Sequence, residues 1–474
     1  MASSESTSLA SGAAQYNYST ASSSAAAEAR KVYPLEDGNY CGLERSTRLS
    51  VLCALATLAF SVAGGSYLAP FFPSYALSVG FSETQIGLIF AVDPLLSLLV
   101  ACFACPYLLM STSSTTLICV SSAISGSAIL SGMLMTLRIP VASLFVLGIA
   151  LRAVAAVGNT IGSAGTLALL LQNLPEEELP EALGVREAAD GMAFVVGPIL
   201  GGATPVIAGK LPCWPFTLVS ALVFAVGIPF CLLPRLTGSN AGKQEVVSGP
   251  ASMLHALWLA PDVLRGFLCV CTTIMGIVAI DPLIGPQLNA APLLLTNMEV
   301  SFFYVWGALV YAASSILLSP MLQRRLGGHL ALVAAAPIAA AGLIGLGCFK
   351  LVGDRSRASC IASAVGFFGV GGVGNGVLMS AAVPLMLRGA KKEPSLSQPE
   401  MIVAALTLTA QCVGCAIAFL VGTAISEAAN GDFRVIILFG VLQSLLPLAF
   451  IPALRGRCCP PSLEGNSARA DEPA

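Results

Sequence analysis

Residues 191–202 read GMAFVVGPILGG, an uncharged stretch in which glycines recur between apolar side chains. The stretch lies in a run at 187–208, which is long enough for a transmembrane helix of about 20 residues. Small residues let helices approach closely, and the proline frees a backbone carbonyl that a neighbour must satisfy. We therefore predict a helix-packing motif formed by Gly191, Gly197, Pro198, Gly201 and Gly202.

The whole chain shares this apolar character. Of its 474 residues, 56% are hydrophobic and 10% are charged, whereas soluble domains have about 25% charged residues. This composition argues against an enzyme in aqueous solution, and the net charge of −2 offers no basic field for nucleic acid. The cysteines and the two histidines show no metal-ligand spacing, so no metal or cofactor is predicted. The expected surroundings are a lipid bilayer.

Eleven further apolar runs accompany the run at 187–208. Of the twelve runs, six precede a polar linker and six follow it. The sequence predicts an all-α polytopic membrane protein with twelve transmembrane helices in two pseudo-symmetric six-helix bundles. When both termini are placed in the cytosol, sixteen of the 23 basic residues fall in cytosolic segments. Because cytosolic loops carry an excess of lysine and arginine, this count favours that orientation. The predicted organisation is a disordered cytosolic tail at 1–45, an N-terminal bundle at 46–234, a cytosolic linker at 235–261, a C-terminal bundle at 262–456 and a cytosolic tail at 457–474.

Five ionisable residues fall inside the predicted spans. Asp93 lies near the middle of the second span, Arg152 near the middle of the fourth, and Asp281 in the outer part of the seventh. Glu187 and Asp190 open the fifth span on one helix face. Each such group costs about 2.5–3.5 kcal/mol at a helix centre, which favours a pathway for substrate or protons. The alternative is that these groups form structural ion pairs or lie at the membrane interface.

Six helices, a linker and six more helices resemble the major facilitator superfamily. The stretch ending in Gly197-Pro198 is similar to the fifth-helix signature of its proton-coupled antiporters. Within that group, the sequence resembles the vesicular amine and polyamine transporters at APFFP (69–73), IGLIF (86–90), Arg152, LGVRE (183–187), Asp281-Pro282 and YAASS (311–315).

This resemblance implies exchange of an organic cation, an amine or a polyamine, for protons across a vesicular, endomembrane or plasma membrane. The residues that it assigns to transport are Arg152, Glu187, the Gly-Pro motif and Asp281; the interpretation of Asp93 rests on its position within a span. The superfamily normally has a charged gate loop after the second span, but residues 104–113 of this chain have no charge. The corresponding loop of the second half keeps Arg324 and Arg325 as candidate gate residues.

Our leading hypothesis is an antiporter whose halves tilt about a site near the midplane. Protons and the organic cation would compete for Asp281, and for Asp93 as a second candidate, while Arg152 keeps the unoccupied carboxylate charged. One alternative is a carrier of an anion or amino acid held by Arg152. Another is a membrane scaffold or sensor that transports nothing.

Overall fold

The computed structural model describes residues 45–136, 139–174, 178–203, 213–232, 250–289, 293–349, 356–396, 399–428 and 435–450. The predicted tails at 1–45, apart from Arg45, and at 457–474 lie outside these residues, as does the predicted linker up to residue 249. Residues Ser46–Ala474 group as one compact unit. The described residues are helical, and no strand occurs among them.

The first half of the described chain contains eight α-helices: α1 (Arg45–Ser66), α2 (Phe72–Ser78), α3 (Glu83–Leu99), α4 (Cys105–Ser111), α5 (Ser114–Ser131), α6 (Val141–Asn173), α7 (Leu179–Gly202) and α8 (Trp214–Leu232). A π-helical turn at Val100–Ala104 joins α3 to α4, so the two form one continuous segment. A short 3-10 turn at Gly132–Thr136 extends α5.

The second half of the described chain contains nine α-helices: α9 (Pro250–Leu259), α10 (Pro261–Val278), α11 (Asp281–Asn289), α12 (Asn297–Ala313), α13 (Ser319–Leu326), α14 (Gly328–Gly347), α15 (Arg357–Lys391), α16 (Pro399–Ala428) and α17 (Val435–Leu445). A second π-helical turn, at Ser314–Leu318, joins α12 to α13. The helix α9 occupies the end of the segment that the sequence assigned to the linker.

Helix starts follow local capping chemistry. Ser82 caps α3 and accepts a hydrogen bond from the Gln85 amide, while the Gln85 side chain accepts one from the Ser82 amide. Thr296 and Glu299 form the same reciprocal pair at the start of α12. Such capping boxes satisfy backbone N–H groups that have no partner within the helix.

The twelve predicted spans correspond to twelve helical segments of the described chain. Eight of these segments are long and apolar enough to cross a membrane, and three shorter apolar ones lie at residues 51–66, 214–227 and 435–450. The twelfth is α7, whose 24 residues include several charges. This all-α architecture is the one that the sequence predicts.

Two span boundaries differ from the prediction. The helix α7 begins at Leu179, eight residues before the expected start, because its charged residues pair with one another inside the helix. The seventh span is interrupted by a turn at Ala279–Ile280. Pro282 explains that turn, since its nitrogen cannot donate a hydrogen bond to the carbonyl of Val278, four residues earlier, and its ring would clash with that carbonyl in a continuous helix.

Contacts between the two halves repeat with the pseudo-symmetry of the chain. The second span (α3) packs against the eleventh (α16), and the fifth (α7) packs against the eighth (α12). When each span is replaced by its counterpart in the other half, the second becomes the eighth and the eleventh becomes the fifth, so the first pair becomes the second. The π-helical turns obey the same relation, because one lies in the second span and the other in the eighth, and both precede a proline-containing helix start.

An apolar cluster joins the halves at the end of the molecule that the predicted topology places outside the cytosol. It includes Phe72 and Phe90 from the first half and Ile284 and Phe419 from the second. The ring centroids of Phe90 and Phe419 are 5.9 Å apart. The cluster holds the two halves together at this end by burying apolar surface.

The glycines of residues 191–202 lie on two faces of α7. Gly197 faces α1, where an added methyl group would come within 2.9 Å of the Ala63 carbonyl oxygen, and Gly201 faces Tyr67, the residue that follows α1. Gly191 and Gly202 face α12. The helix therefore approaches a helix of its own half and a helix of the other half through its small residues.

We expect Gly201→Ala to destabilise the protein, because the added methyl group would collide with the carbonyl oxygen of Tyr67, a backbone atom that cannot swing away. Overpacking of this kind costs about 1–3 kcal/mol. Thermal unfolding of the purified protein in detergent measures the loss as a lower melting temperature.

The matched control is Gly366→Ala in α15, where a methyl group would meet no atom within 4 Å. We expect no loss there, because alanine has a higher helix propensity than glycine by about 1 kcal/mol. Equal melting temperatures for the Gly201 variant and the unmodified protein would contradict the packing interpretation.

Candidate functional site

A cavity of about 280 Å³ lies between the two halves of the described chain. Helices α1, α6 and α7 line it from the first half, and α10, α11, α12, α14, α15 and α16 line it from the second. Most of the lining is apolar and includes Phe194 and Phe368. Its polar side chains are few, as is typical of small-molecule sites: Ser163, Glu187, Asp190, Asp281, Tyr304, Tyr311, Asn375 and Gln411.

The strongest polar contacts in the cavity wall centre on Arg186. This side chain is 1% exposed, and its guanidinium pairs with the carboxylate of Glu187 and lies 3.6 Å from Asp190 Oδ2. It also donates a hydrogen bond of 2.9 Å to Ser163 Oγ of α6. A buried arginine is tolerated only when its charge is paired. Two carboxylates and a hydroxyl engage Nη1 and Nη2 of Arg186, while its Nε is buried without a hydrogen-bond partner.

Tyr311 extends this cluster across the boundary between the halves. Its hydroxyl, on α12, donates a hydrogen bond of 2.6 Å to Glu187 Oε2 on α7. Glu187 therefore has one oxygen on Arg186 and the other on Tyr311, and its side chain is almost completely buried. By contrast, Asp190 Oδ1 is buried without a hydrogen-bond partner. The two carboxylates of α7 that line the cavity are thus unequal, since Asp190 keeps a free acceptor there.

Asp281 lines the cavity from the opposite half. It is the first residue of α11, after the interruption of the seventh span, and its backbone carbonyl accepts a hydrogen bond of 3.2 Å from Tyr304 Oη. Among the described residues, no ion pair reaches its carboxylate. Asp281 therefore adds a carboxyl group without a contacting counter-ion to a mostly apolar wall.

Asp93 and Arg152 form a separate pair in the first half. Arg152 Nη2 lies 3.2 Å from Asp93 Oδ2, and the guanidinium lies over the Phe90 ring at 5.8 Å from its centroid. Both side chains are half-buried, and neither is among the described residues that line the large cavity. The structure thus separates the five predicted charges into three that line the cavity and two that pair with each other.

The two candidate gate residues, Arg324 and Arg325, differ in whether they form an ion pair among the described residues. Arg324, at the end of α13, forms an exposed ion pair with Glu181 at the start of α7. This pair joins the two halves near the loop that follows the eighth span. No ion pair of Arg325 occurs among the described residues. The acid that Arg324 uses therefore comes from the other half of the chain, not from its own loop, where Gln323 is buried against Ser319.

The sequence interpretation missed several groups at the site. Arg186 was not among the five charges predicted inside the spans, yet it is buried at the centre of the charged cluster. Its position one residue before Glu187 and four before Asp190 was a usable signal, because i,i+4 neighbours share a helix face. Tyr304 and Asn375 gave no signal, since single polar residues in apolar helices do not reveal which side chains they meet. Asn375 accepts a hydrogen bond of 2.9 Å from Gln443 Nε2.

The arrangement is suited to a cation. Three carboxyl groups line the cavity and one arginine contacts two of them, so the acidic groups of the wall outnumber the basic ones. Apolar walls strengthen electrostatic attraction because they exclude water. Carboxylates can accept either a proton or a hydrogen bond from an ammonium group.

Comparison with known proteins agrees with this architecture. The family model of the Major Facilitator Superfamily matches residues 54–419. The MFS-type transporter SLC18B1 of Rattus norvegicus is 30% identical over 182 residues, a match that spans 38% of this chain and 39% of that relative.

Solved structures show the same fold at low sequence identity. An outward-facing bacterial homologue of the iron transporter ferroportin gives a TM-score of 0.63 at 16% identity, covering 87% of this chain and 100% of that one. The human organic anion transporter MFSD10 gives 0.64 at 14% identity, covering 86% and 100%. Because the family model matches most of its length, the chain belongs to the Major Facilitator Superfamily, a family of membrane transporters.

Proposed function

We propose that this protein is a secondary active transporter that exchanges an organic cation, an amine or a polyamine, for protons by alternating access. The observation that supports this most is the cavity between the halves, where Glu187, Asp190 and Asp281 face a mostly apolar space. An amine has matching chemistry, with a charged end for a carboxylate and a hydrocarbon portion for the apolar wall.

The charges favour a cation over an anion. Arg186 is already engaged by two carboxylates, and Arg152 is engaged by Asp93 outside the cavity lining. An anionic substrate held by Arg152 would therefore first have to displace Asp93. A scaffold without transport is also disfavoured, because charges placed within spans cost stability that a purely structural role does not require.

Proton exchange follows from competition for the same oxygens. Asp190 Oδ1 and the Asp281 carboxylate have no ion-pair or hydrogen-bond partner among the described residues that would block a ligand. A carboxylate in such surroundings can hold a proton when the cation is absent and release it when an ammonium group arrives. Opposite movements of the two species would then be coupled.

The packing of the halves supports alternating access. The α3–α16 and α7–α12 contacts are the pseudo-symmetric seams along which the halves can tilt. The Tyr311–Glu187 hydrogen bond crosses the α7–α12 seam at the cavity. The Arg324–Glu181 pair crosses the same seam at the start of α7. We propose that Arg324 takes part in the cytosolic gate.

The similarity to the rat MFS-type transporter SLC18B1 supports placement among related carriers, although the match spans only 39% of that protein. The substrates named for the two solved structures, iron for ferroportin and organic anions for MFSD10, differ from each other on one fold. Substrate choice therefore depends on the residues of the cavity. We propose a vesicular or plasma membrane location with both termini in the cytosol.

Asp281→Asn should abolish uptake driven by a proton gradient. The variant removes a charged contact worth about 1.5–3 kcal/mol to a bound ammonium group, so cation affinity should fall by at least about tenfold. Uptake is measured in proteoliposomes with an acidic lumen, using spermine, a monoamine and a dicarboxylate as the substrate panel.

The control variant is Glu393→Gln, which neutralises a carboxylate in the connection between α15 and α16, away from the cavity. Its uptake should equal that of the unmodified protein. Unchanged spermine and monoamine uptake by the Asp281 variant would contradict the assigned role, and flux of the dicarboxylate alone would overturn the choice of a cation.

Reversing the charge of Glu181 should alter transport, and the double variant Glu181→Arg with Arg324→Glu should restore it. The double exchange re-forms the cross-half pair in the opposite sense. An exposed pair is worth up to about 1 kcal/mol, so the initial rate should change by up to about fivefold. The measurement is the initial uptake rate at saturating substrate.

Arg325→Glu is the matched control, because Arg325 is adjacent in sequence and the described chain shows no ion pair for it. Combining it with Glu181→Arg should restore nothing. If that combination restored transport as well as the Arg324 exchange does, general surface charge rather than the specific pair would explain the effect.

A further inference from the structure

A short helix outside the predicted spans has one side that the described chain leaves largely uncovered. The helix α9, Pro250–Leu259, lies in the predicted linker and packs against α10 and α16. Three side chains on one helix face are buried, two of α9 and the one that follows it: Met253, Ala256 and Ala260. Four side chains on the opposite side are exposed: Leu254, His255, Trp258 and Leu259. The helix therefore packs against the protein through one side only.

The uncovered side of α9 is apolar. Trp258 is 81% exposed, more than any other large apolar side chain of the described residues, and Leu254 is 59% exposed. The two are neighbours on the helix surface, because residues four apart share a helix face. The sequence of α9 includes no Asp, Glu, Lys or Arg, whereas the water-facing side of a helix normally has charged or polar residues. An uncovered apolar side of this kind marks a surface that another medium or molecule covers.

Charged residues show how deep α9 lies in the bilayer. In the first turn of α10, Asp262 Oδ1 is 2.7 Å from Arg265 Nη1, and Asp262 Oδ2 is 3.8 Å from Lys392 Nζ. Lys391 pairs with Glu400 at the start of α16, at 3.3 Å. Such charges collect at the polar boundary of a bilayer because each is costly within the hydrocarbon core. Since α9 directly precedes α10 and packs against α16, it lies at this boundary and not in the middle of the bilayer.

A lipid-facing surface follows the apolar side of α9 in the chain. Leu264 and Leu268 of α10 are exposed one helical turn apart, and neither lines the cavity. Because α9 ends at Leu259 and α10 begins at Pro261, one residue separates the two helices. Tryptophan is enriched at membrane interfaces, where its apolar ring and its polar indole N–H both find matching surroundings. Phospholipid at the level of the headgroups is therefore the partner that fits this side of α9.

We propose that α9 is an interfacial helix that binds phospholipids of the surrounding bilayer, with Leu254, Trp258 and Leu259 at the boundary between headgroups and acyl chains. Helices of this kind bury their apolar side about 5–10 Å below the headgroups. Because α9 has no charged residue, a neutral phospholipid is sufficient. In the proposed topology this is the cytosolic leaflet. The helix thus anchors the end of the segment between the halves to the membrane, beside α16 of the α3–α16 seam.

The test uses the fluorescence of Trp258 in the full-length protein. The chain has three tryptophans, so the double variant Trp214→Phe with Trp306→Phe leaves Trp258 as the only one. The protein is placed in phosphatidylcholine nanodiscs, where both membrane faces are open to the buffer. Quenching is measured with lipids that carry a nitroxide near the headgroup or near the end of the acyl chain, and with iodide in the water.

We expect the nitroxide near the headgroup to quench Trp258 at least about twofold more than the one at the end of the acyl chain, because an interfacial helix lies above the hydrocarbon core. Iodide should quench Trp258 less than it quenches free tryptophan. The depth control keeps Trp306 as the only tryptophan. Its side chain is exposed within the eighth span, so the nitroxide at the end of the acyl chain should quench it more.

Leu254→Glu places a charge beside Trp258 on the lipid-binding side, so it should abolish the preference for the nitroxide near the headgroup and increase quenching by iodide. Leu254→Met is the matched control, because it keeps the side apolar and should change neither value. Leu254 is exposed, so neither substitution removes a core side chain. If the double tryptophan variant fails to fold, the difference in quenching between the unmodified protein and Trp258→Phe isolates the same signal.

Two results would overturn the inference. Quenching of Trp258 by iodide to the same degree as free tryptophan would place α9 in water. Protection from iodide and from both nitroxide lipids would show that protein covers this side, either another segment of the chain or a second copy. The measurement uses no substrate, so its outcome is independent of the proposed cation exchange.

Discussion

The site depends on the burial of one guanidinium. Arg186 is 1% exposed and lies within a membrane-spanning bundle, so its charge has to be matched locally. Glu187, Asp190 and Ser163 supply that match, and Tyr311 completes it from the other half of the molecule. The same contacts keep α7 helical through a charged stretch and join it to α6 and α12.

The carboxylates of this arrangement differ in how many of their oxygens already have a partner. Glu187 is fully engaged, Asp190 keeps one free oxygen, and Asp281 faces the cavity without an ion pair among the described residues. Asp93 is engaged by Arg152 in a separate cluster. Among these groups, Asp190 and Asp281 are therefore the ones with oxygens that a ligand can reach without displacing a described partner.

Much of the fold could be predicted because the lipid bilayer restricts which backbone structures can span it. In a bilayer, backbone polar groups must be satisfied within a segment, so long apolar runs become helices. The predicted all-α architecture and the twelve predicted spans follow from this constraint. The start of α7 could not be located in the same way, because hydropathy treats a charged residue as exposed even when another side chain neutralises it.

Asp281 shows how far the site could be predicted. Its place within a span and the proline after it are visible in the sequence, and the same residue lines the cavity. The partners of the charges were not visible: Arg152 meets Asp93 from a helix about 60 residues away in the chain, and Glu187 meets Tyr311 from the other half. The sequence alone determined which helices form and which of their residues are ionisable, since both follow from local composition. The tertiary structure alone decided which charges are paired and which face the cavity, because pairing depends on how helices far apart in the chain pack side by side.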